Sequence, residues 1–275
     1  MANSFVKTGM INLEEWRQAG EYFDYDGFPI FYRHSSRPSD DGEILLCLHG
    51  FPSSSFDYHK IWNGLSENFA SVAAFDMIGY GFSAKPAAGF NYTTSNQVDL
   101  LQVLLENLGA EKIHILAHDY GNTITQELLA RRAEGRLNFT IESICFLNGA
   151  LFPETHRPIP AQKILISPAG FLFARFITDA RFKQSLATVF GADTQPTESE
   201  LNDFLEVFKY NDGRRIAHKL IRYMRERQTN RERWVAALNS INVPFRFING
   251  LADKVSGAHL VERFRQVCPH LDDIV

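Results

Sequence analysis

Short apolar runs alternate with amphipathic segments along most of the chain, and together they predict helices packed on a sheet. Five runs bounded by turn residues are typical of buried parallel strands: residues 44–49, 71–75, 112–118, 141–147 and 245–249. Residues 21–25 and 29–34 flank Asp26-Gly27 and predict a short antiparallel hairpin. The stripe of leucine and valine within residues 94–108 predicts an amphipathic helix that Gly109 ends.

The strand pattern stops between Asn148 and Trp234. A proline-rich start is followed by helical signals, among them a capping box of Thr197 and Glu200. We therefore expect an α/β core of residues 1–148 and 235–275, with a helical cap of residues 149–234 inserted after the sixth strand.

Composition agrees with one enzyme-sized α/β domain and narrows its partners. The 275 residues are 45% hydrophobic, with a net charge of -4 and no basic stripe, which argues against nucleic acid or anionic membrane as partner. No apolar run has the length of a signal-peptide core or a membrane span. Three cysteines, two of them in apolar runs, are typical of free thiols in the cytoplasm. We find neither metal-ligand spacing nor a phosphate loop, so no metal or cofactor is expected; the oligomeric state stays open.

The run at residues 112–118 leads directly into the residues with the most suggestive chemistry. Asp119 lies between the strand and a helical pattern, with the small residues Ala117 and Gly121 on either side. This is the strand–turn–helix context of a nucleophile elbow, with aspartate in the place of serine. An aspartate here could also be a simple N-cap of the helix.

Two further segments favour the catalytic interpretation of Asp119. The strand at residues 44–49 ends in His49-Gly50-Phe51-Pro52, and the next strand is followed by the glycine-rich segment 76–83. These segments, in this order, resemble the α/β-hydrolase superfamily over nearly the whole chain, in the branch of epoxide hydrolases and haloalkane or haloacid dehalogenases. Segments 118–121, 126–129, 152–158, 211–213 and 233–235 are most similar to the mesoderm-specific transcript family and its bacterial relatives. The resemblance implies an α/β-hydrolase fold, a mostly parallel sheet with helices on both faces and an inserted cap.

The resemblance also implies roles for individual residues. Asp119 would form a covalent alkyl ester, and the backbone N–H groups of Phe51 and Tyr120 would hold the oxyanion when that ester is hydrolysed. The Phe51–Pro52 bond would be cis. Asp253 would be the acid of the triad, because Asn148, at the alternative position, carries no carboxyl group.

The same resemblance implies a histidine base just beyond an eighth strand, which residues 271–275 begin. None of His49, His118, His259 and His270 occupies that place, and we expect each to be structural. We therefore expect the natural protein to continue past this position; a form without the base is the alternative.

The choice of reaction depends on the donors that face Asp119. An epoxide hydrolase needs an acid over the ring oxygen, and Tyr223 is the first candidate because it shares a helical face with Ile216 and Leu220. Tyr210 is the second. A dehalogenase needs halide donors, for which Trp62 and Trp234 are available.

Our first hypothesis is an epoxide-hydrolase-like enzyme that acts on a small apolar substrate, with Tyr223, Tyr210, Asn148 and Trp234 as candidate cap or pocket residues. A dehalogenase is the alternative. A binding or regulatory protein that has kept the fold and lost turnover is the second alternative.

Overall fold

The structure, a computed structural model, describes residues 11–37 and 42–275. Within these residues seven strands form one sheet in the order β1-β2-β4-β3-β5-β6-β7. β1 and β2 form an antiparallel hairpin, β2 pairs antiparallel with β4, and the remaining neighbours are parallel. The strands are β1 (Glu21–Tyr25), β2 (Phe28–Ser36), β3 (Glu43–Leu48), β4 (Ser71–Phe75), β5 (Lys112–Ala117), β6 (Thr140–Leu147) and β7 (Phe245–Ile248). The predicted mostly parallel sheet is confirmed.

Helices cover both faces of the sheet. Side chains along a strand alternate between the two faces, so neighbouring residues of one strand belong to different clusters. In β3, Leu46 and Leu48 belong to the larger apolar cluster, whereas Leu45 and Cys47 belong to the smaller one. The smaller cluster includes side chains of α1 (Leu13–Gln18) and α2 (Trp62–Asn68), and the larger one those of α3 (Thr94–Asn107) and α4 (Tyr120–Ala133). The predicted helix at residues 94–108 is therefore α3.

Between β6 and β7 the chain forms helices and turns, which we call the helical insertion (residues 149–244). Thr197 and Glu200 form the expected capping box. The helix expected to carry Ile216, Leu220 and Tyr223 on one face is instead a 3-10 segment and two short helices, with a break at residues 221–222. The helices are α5 (Pro160–Leu165), α6 (Gly170–Phe176), α7 (Asp179–Ala187), α8 (Glu198–Lys209), α9 (Ala217–Leu220), α10 (Tyr223–Thr229) and α11 (Arg231–Asn239), with a 3-10 segment at Tyr210–Ile216.

The last helix of the insertion packs on the core. Trp234 of α11 is buried, and its indole N–H donates to Glu127 of α4 at 2.8 Å. The expected cap boundary at residue 234 thus falls inside α11.

After α12 (Ala258–Val267), Ile274 forms a parallel bridge with Phe247 beside β7. The three cysteines are free, with Cys47 and Cys268 buried and Cys145 partly buried. Within the described parts of the chain, none of the helices is long and apolar enough to cross a membrane.

Candidate active site

The turn between β5 and α4 holds Asp119 in a backbone conformation that an ordinary N-cap does not use. Its φ is 46° and its ψ is -103°, and its side chain makes no capping hydrogen bond to the helix. This combination of φ and ψ lies outside the left-handed region that asparagine and aspartate adopt in turns, and backbone outliers of this kind cluster at functional sites. A Cβ on Gly121 would lie 2.3 Å from the backbone oxygen of Leu48, so the tight packing of α4 against β3 requires glycine. The geometry therefore matches the nucleophile elbow rather than the N-cap alternative.

The carboxylate of Asp119 lies against the turn that follows β3. The N–H of Phe51 donates to Oδ2 of Asp119 at 2.9 Å, and the Phe51–Pro52 bond is cis as expected. Tyr120 is the first residue of α4, where an N–H has no partner inside the helix. The two backbone donors expected from the sequence are thus next to Asp119, whose other oxygen, Oδ1, lies 3.9 Å from Nη2 of Arg227.

Asn148 connects the elbow to the loop that carries Asp253. Its backbone oxygen accepts the N–H of Asp119 at 2.8 Å, and its Oδ1 accepts the N–H of Gly250 at 2.8 Å. Its Nδ2 donates to Oδ2 of Asp253 at 3.3 Å. Asn148 therefore holds the acid loop rather than acting as an acid itself.

The carboxylate of Asp253 has two further hydrogen bonds. The N–H of Val255 donates to its Oδ1 at 2.8 Å, and the hydroxyl of Ser256 donates to its Oδ2 at 2.7 Å. These bonds, with that of Asn148, hold the carboxylate in one orientation.

The four histidines weighed from the sequence have different surroundings. His49 is buried, accepts the N–H of Met77 at 3.1 Å and has a pKa lowered by burial. His259 faces the backbone oxygen of Val255 at 3.2 Å, and His270 is exposed. His118 lies 3.4 Å from Asp57; burial alone would lower its pKa, but Asp57, Asp119 and Asp253 raise it above the usual value.

Tyr223 lies in an aromatic group beside the nucleophile. Its ring centre is 4.4 Å from that of Tyr120 and 5.9 Å from that of Phe51. Its side chain is fully buried, and its hydroxyl has no hydrogen-bond partner among the described residues. Burial raises the pKa of Tyr223 well above its usual value, the Asp119 carboxylate adds to the rise, and Arg227 opposes it. Unpaired buried hydroxyls are uncommon in folded proteins, and a catalytic role is one explanation for them.

Tyr210 and Trp234, expected as cap or pocket residues, make their contacts outside this group. Tyr210 packs in the smaller apolar cluster against Phe82, and its hydroxyl faces Arg17 at 3.5 Å. The two residues after it, Asn211 and Asp212, have positive φ. The indole N–H of Trp234 is used by Glu127.

Three residues near the nucleophile were not anticipated. The hydroxyl of Tyr80 is buried without a partner, and its pKa is raised by burial and by several groups that include Tyr223 and Asp119. Arg227 is 1% exposed and has Nη2 3.9 Å from Oδ1 of Asp119. Burial and the charge of Arg227 lower the pKa of His156 to about 3. The sequence carried a signal for two of them, since Tyr80 follows a strand end and Arg227 lies one helical turn after Tyr223.

A cavity of about 90 Å³ lies between Phe51 and Pro52 on the core and the helices of the insertion. Its walls are mostly apolar side chains of α5, α6 and α7, with Leu165, Phe173 and Phe182 among them. Over residues 11–37 and 42–275 there is no group of three metal-binding side chains. The arrangement combines a carboxylate on a strained turn, a backbone N–H that donates to it and a nearby apolar cavity.

Comparison with known proteins agrees with this geometry. The family model described as the alpha/beta hydrolase fold matches residues 43–275. The chain belongs to this family. α/β-Hydrolases place the nucleophile on a turn between a strand and a helix, where Asp119 lies in this protein.

Relatives of this α/β-hydrolase include the mesoderm-specific transcript protein of Mus musculus, which is 40% identical over 266 residues, 94% of this chain and 78% of the relative. The structure is similar to haloalkane dehalogenase DatA of Agrobacterium tumefaciens C58, with a TM-score of 0.72 at 19% identity over 93% of this chain and 86% of that one. It is also similar to epoxide hydrolase CorEH, with a TM-score of 0.71 at 16% identity over 93% and 88%. At these identities the structural likeness supports the fold alone.

Proposed function

We propose that this α/β-hydrolase opens small apolar epoxides through a covalent ester on Asp119, with residues 149–234 acting as a cap over the site. The strained elbow supports Asp119 as nucleophile, because its carboxylate faces a backbone donor instead of capping α4. The buried and unpaired hydroxyl of Tyr223 beside Asp119 is the observation that carries the choice of epoxide.

In the first step Oδ1 of Asp119 attacks a ring carbon while Oδ2 stays bound to the N–H of Phe51. A bond forms between Oδ1 and carbon, the ring C–O bond breaks, and its electron pair goes to the ring oxygen. That oxygen takes the proton of Tyr223, with Tyr80 as a second donor. The product is a neutral ester and a hydroxyl group on the neighbouring carbon.

In the second step water attacks the carbonyl carbon of the ester. The oxyanion that forms on Oδ2 would be held by the N–H groups of Phe51 and Tyr120. The water needs a base, and the fixed carboxylate of Asp253 would orient a histidine for that purpose.

Dehalogenase chemistry is the alternative, but it has less support from the tryptophans. Halide release needs N–H donors near the leaving atom, and the indole N–H of Trp234 is used by Glu127. Trp62 packs against Trp16 in the smaller apolar cluster, which does not include Tyr223 or Tyr120. The relatives named as dehalogenases therefore share the scaffold, whereas the donors favour epoxide opening.

The test is to detect the ester. The protein is mixed with styrene oxide, quenched in acid after seconds, and examined by intact mass and by mass spectrometry of the peptide that contains Asp119. We expect one equivalent of epoxide on Asp119 in the parent and none in fresh Asp119→Asn, since the amide is nearly isosteric but a poor nucleophile. Asp253→Asn is the matched control, because it keeps the nucleophile and should still form the ester.

Product formation by fresh Asp119→Asn at the parent's rate would refute the mechanism. Early time points matter because slow deamidation can restore a trace of aspartate. Halide release from 1-bromobutane with no ester from styrene oxide would favour the dehalogenase. A protein that binds both compounds and forms no ester would match the binding-protein alternative.

A further inference from the structure

Arg227 of α10 is almost fully buried beside the nucleophile and is only partly paired. Its Nε donates to the hydroxyl of Thr123 at 2.7 Å, and its Nη2 has a long contact of 3.5 Å with the backbone oxygen of Asp119. Its Nη1 is buried and has no hydrogen-bond partner among the described residues. A buried charged donor without a partner is unfavourable unless a ligand supplies one.

The guanidinium group lies between two parts of the proposed reaction. Its Nη2 is 3.9 Å from Oδ1 of Asp119, the oxygen that attacks. Its central carbon is 4.7 Å from the ring centre of Tyr223, the residue that gives the proton. Arg227 therefore lies beside the attacking carboxylate and over the ring of the residue that gives the proton.

The buried charge of Arg227 has to be balanced by the groups around it. Arginine stays ionised in proteins, so a buried guanidinium needs a nearby negative charge. Before reaction Asp119 supplies it, whereas Glu226, the neighbouring acid on α10, accepts the N–H of Thr94. Burial and Arg227 itself keep His156 neutral by lowering its pKa to about 3, so His156 adds no second cation at neutral pH.

Alkylation removes the charge of Asp119, because the ester is neutral. Ring opening of an epoxide transfers that charge to the ring oxygen. When Tyr223 gives its proton to that oxygen, the negative charge is left on the oxygen of Tyr223. Both oxygens would remain within reach of Arg227, so the guanidinium would keep a counter-ion throughout the step. A halide ion, in contrast, can leave the site and take the charge with it.

We propose that Arg227 is a catalytic residue that stabilises the negative charge as it moves from Asp119 to the substrate oxygen, with Nη1 donating to that oxygen. The substrate class is then an electrophile whose leaving atom is an oxygen that stays attached to the product. This inference rests on the proposed function, since it requires the ester on Asp119.

The experiment measures ester formation by quenched-flow mass spectrometry with styrene oxide in the parent, Arg227→Met, Arg227→Lys and Arg225→Met. Arg225 is the matched control, because it is an exposed arginine on the same helix whose Nη2 donates only to the backbone oxygen of Ile166 at 2.7 Å. We expect Arg227→Met to lose on the order of 10²-fold in alkylation rate at saturating epoxide, the usual effect of removing one charge-stabilising donor. Arg227→Lys should recover part of the rate because it keeps the cation, and Arg225→Met should react as the parent does.

The outcomes separate this inference from the proposed function. A rate for Arg227→Met within threefold of the parent, or equal losses in the Met and Lys variants, would overturn the role of Arg227 and leave the ester mechanism in place. Absence of ester in the parent would overturn both. Melting temperatures of all four proteins identify a loss of alkylation rate that comes from unfolding. In that case Arg227→Lys decides the role of Arg227, because a well-folded Lys variant that is as slow as the Met variant contradicts a role of charge.

Discussion

Replacing Tyr223 with phenylalanine should slow the alkylation of Asp119 by an epoxide without lowering the stability of the fold. The ring is fully buried against Tyr120 and Phe51, and phenylalanine keeps that packing. The change removes one acid over the epoxide oxygen, and a positioned acid contributes about 10²-fold or more to a rate. A loss of 10²-fold corresponds to about 2.7 kcal/mol in the barrier for alkylation.

Stability should not fall, because the hydroxyl of Tyr223 has no hydrogen bond to lose among the described residues. Removing an unpaired buried hydroxyl changes the free energy of unfolding by about 1 kcal/mol or less, in the stabilising direction. Tyr58 is the matched control: its buried hydroxyl donates to the backbone oxygens of Leu48 and Leu116 at 2.8 and 3.1 Å. Tyr58→Phe should therefore lose about 1–3 kcal/mol of stability and retain the alkylation rate per folded molecule.

The assay compares single-turnover alkylation by styrene oxide and by 1-bromobutane, with thermal melting in parallel. A bromide needs no proton on its leaving atom, so its rate should be much less sensitive to Tyr223→Phe. Equal losses on both substrates would mean that Tyr223 only shapes the pocket. An unchanged epoxide rate would remove Tyr223 from the chemistry, and a drop in melting temperature as large as that of Tyr58→Phe would show that its hydroxyl is paired after all.

Two further predictions concern the packing of the insertion on the core. Glu127 is buried and accepts from two arginines and an indole, so Glu127→Gln should destabilise the protein by about 3–5 kcal/mol in urea unfolding. Glu134 is an exposed partner of one of these arginines, and Glu134→Gln should cost about 1 kcal/mol or less. Similar losses in both variants would contradict the role of burial. The Arg231 side chain, with Arg263, lowers the pKa of Glu154 to about 2, so the carboxylate stabilises the fold above its ordinary pKa near 4.5, and this stability is lost as the pH falls toward 2. Glu154→Gln should remove on the order of 1 kcal/mol at pH 7 and flatten the acid limb of the stability curve; an unchanged limb would show that other carboxylates cause it.

The parts of this structure that follow a local rule could be predicted from the sequence. The strands follow from apolar runs bounded by turn residues, and the elbow from a strand end, an aspartate and a glycine in series. Tyr223 could be found because burial of one helical face places every third or fourth residue together, even though α9 and α10 turned out to be separate helices.

The remaining parts depend on the path of the chain in three dimensions. Tyr210 precedes two residues with positive φ, and neither the sequence nor helix periodicity indicates which way such a turn directs the side chain before it. Trp234 lies near the end of the expected cap, but its helix packs on α4 of the core through Glu127. Arg227 lies one helical turn after Tyr223, but the sequence does not indicate that the fold buries its charge.

Two buried arginines show how function can be distinguished from structure here. Arg131 is 2% exposed and Arg227 is 1% exposed, so burial alone does not separate them. All three nitrogens of Arg131 have partners: Nε donates to Glu127, Nη1 to the side chains of Asp99 and Gln102, and Nη2 to the hydroxyl and backbone oxygen of Ser95. Arg227 leaves Nη1 unpaired beside the nucleophile. Arg33 and Arg214 also have an unpaired buried nitrogen, so an unpaired donor alone does not mark a site. That of Arg227 differs because it belongs to a guanidinium beside the Asp119 carboxylate, where the substrate is expected to supply the acceptor.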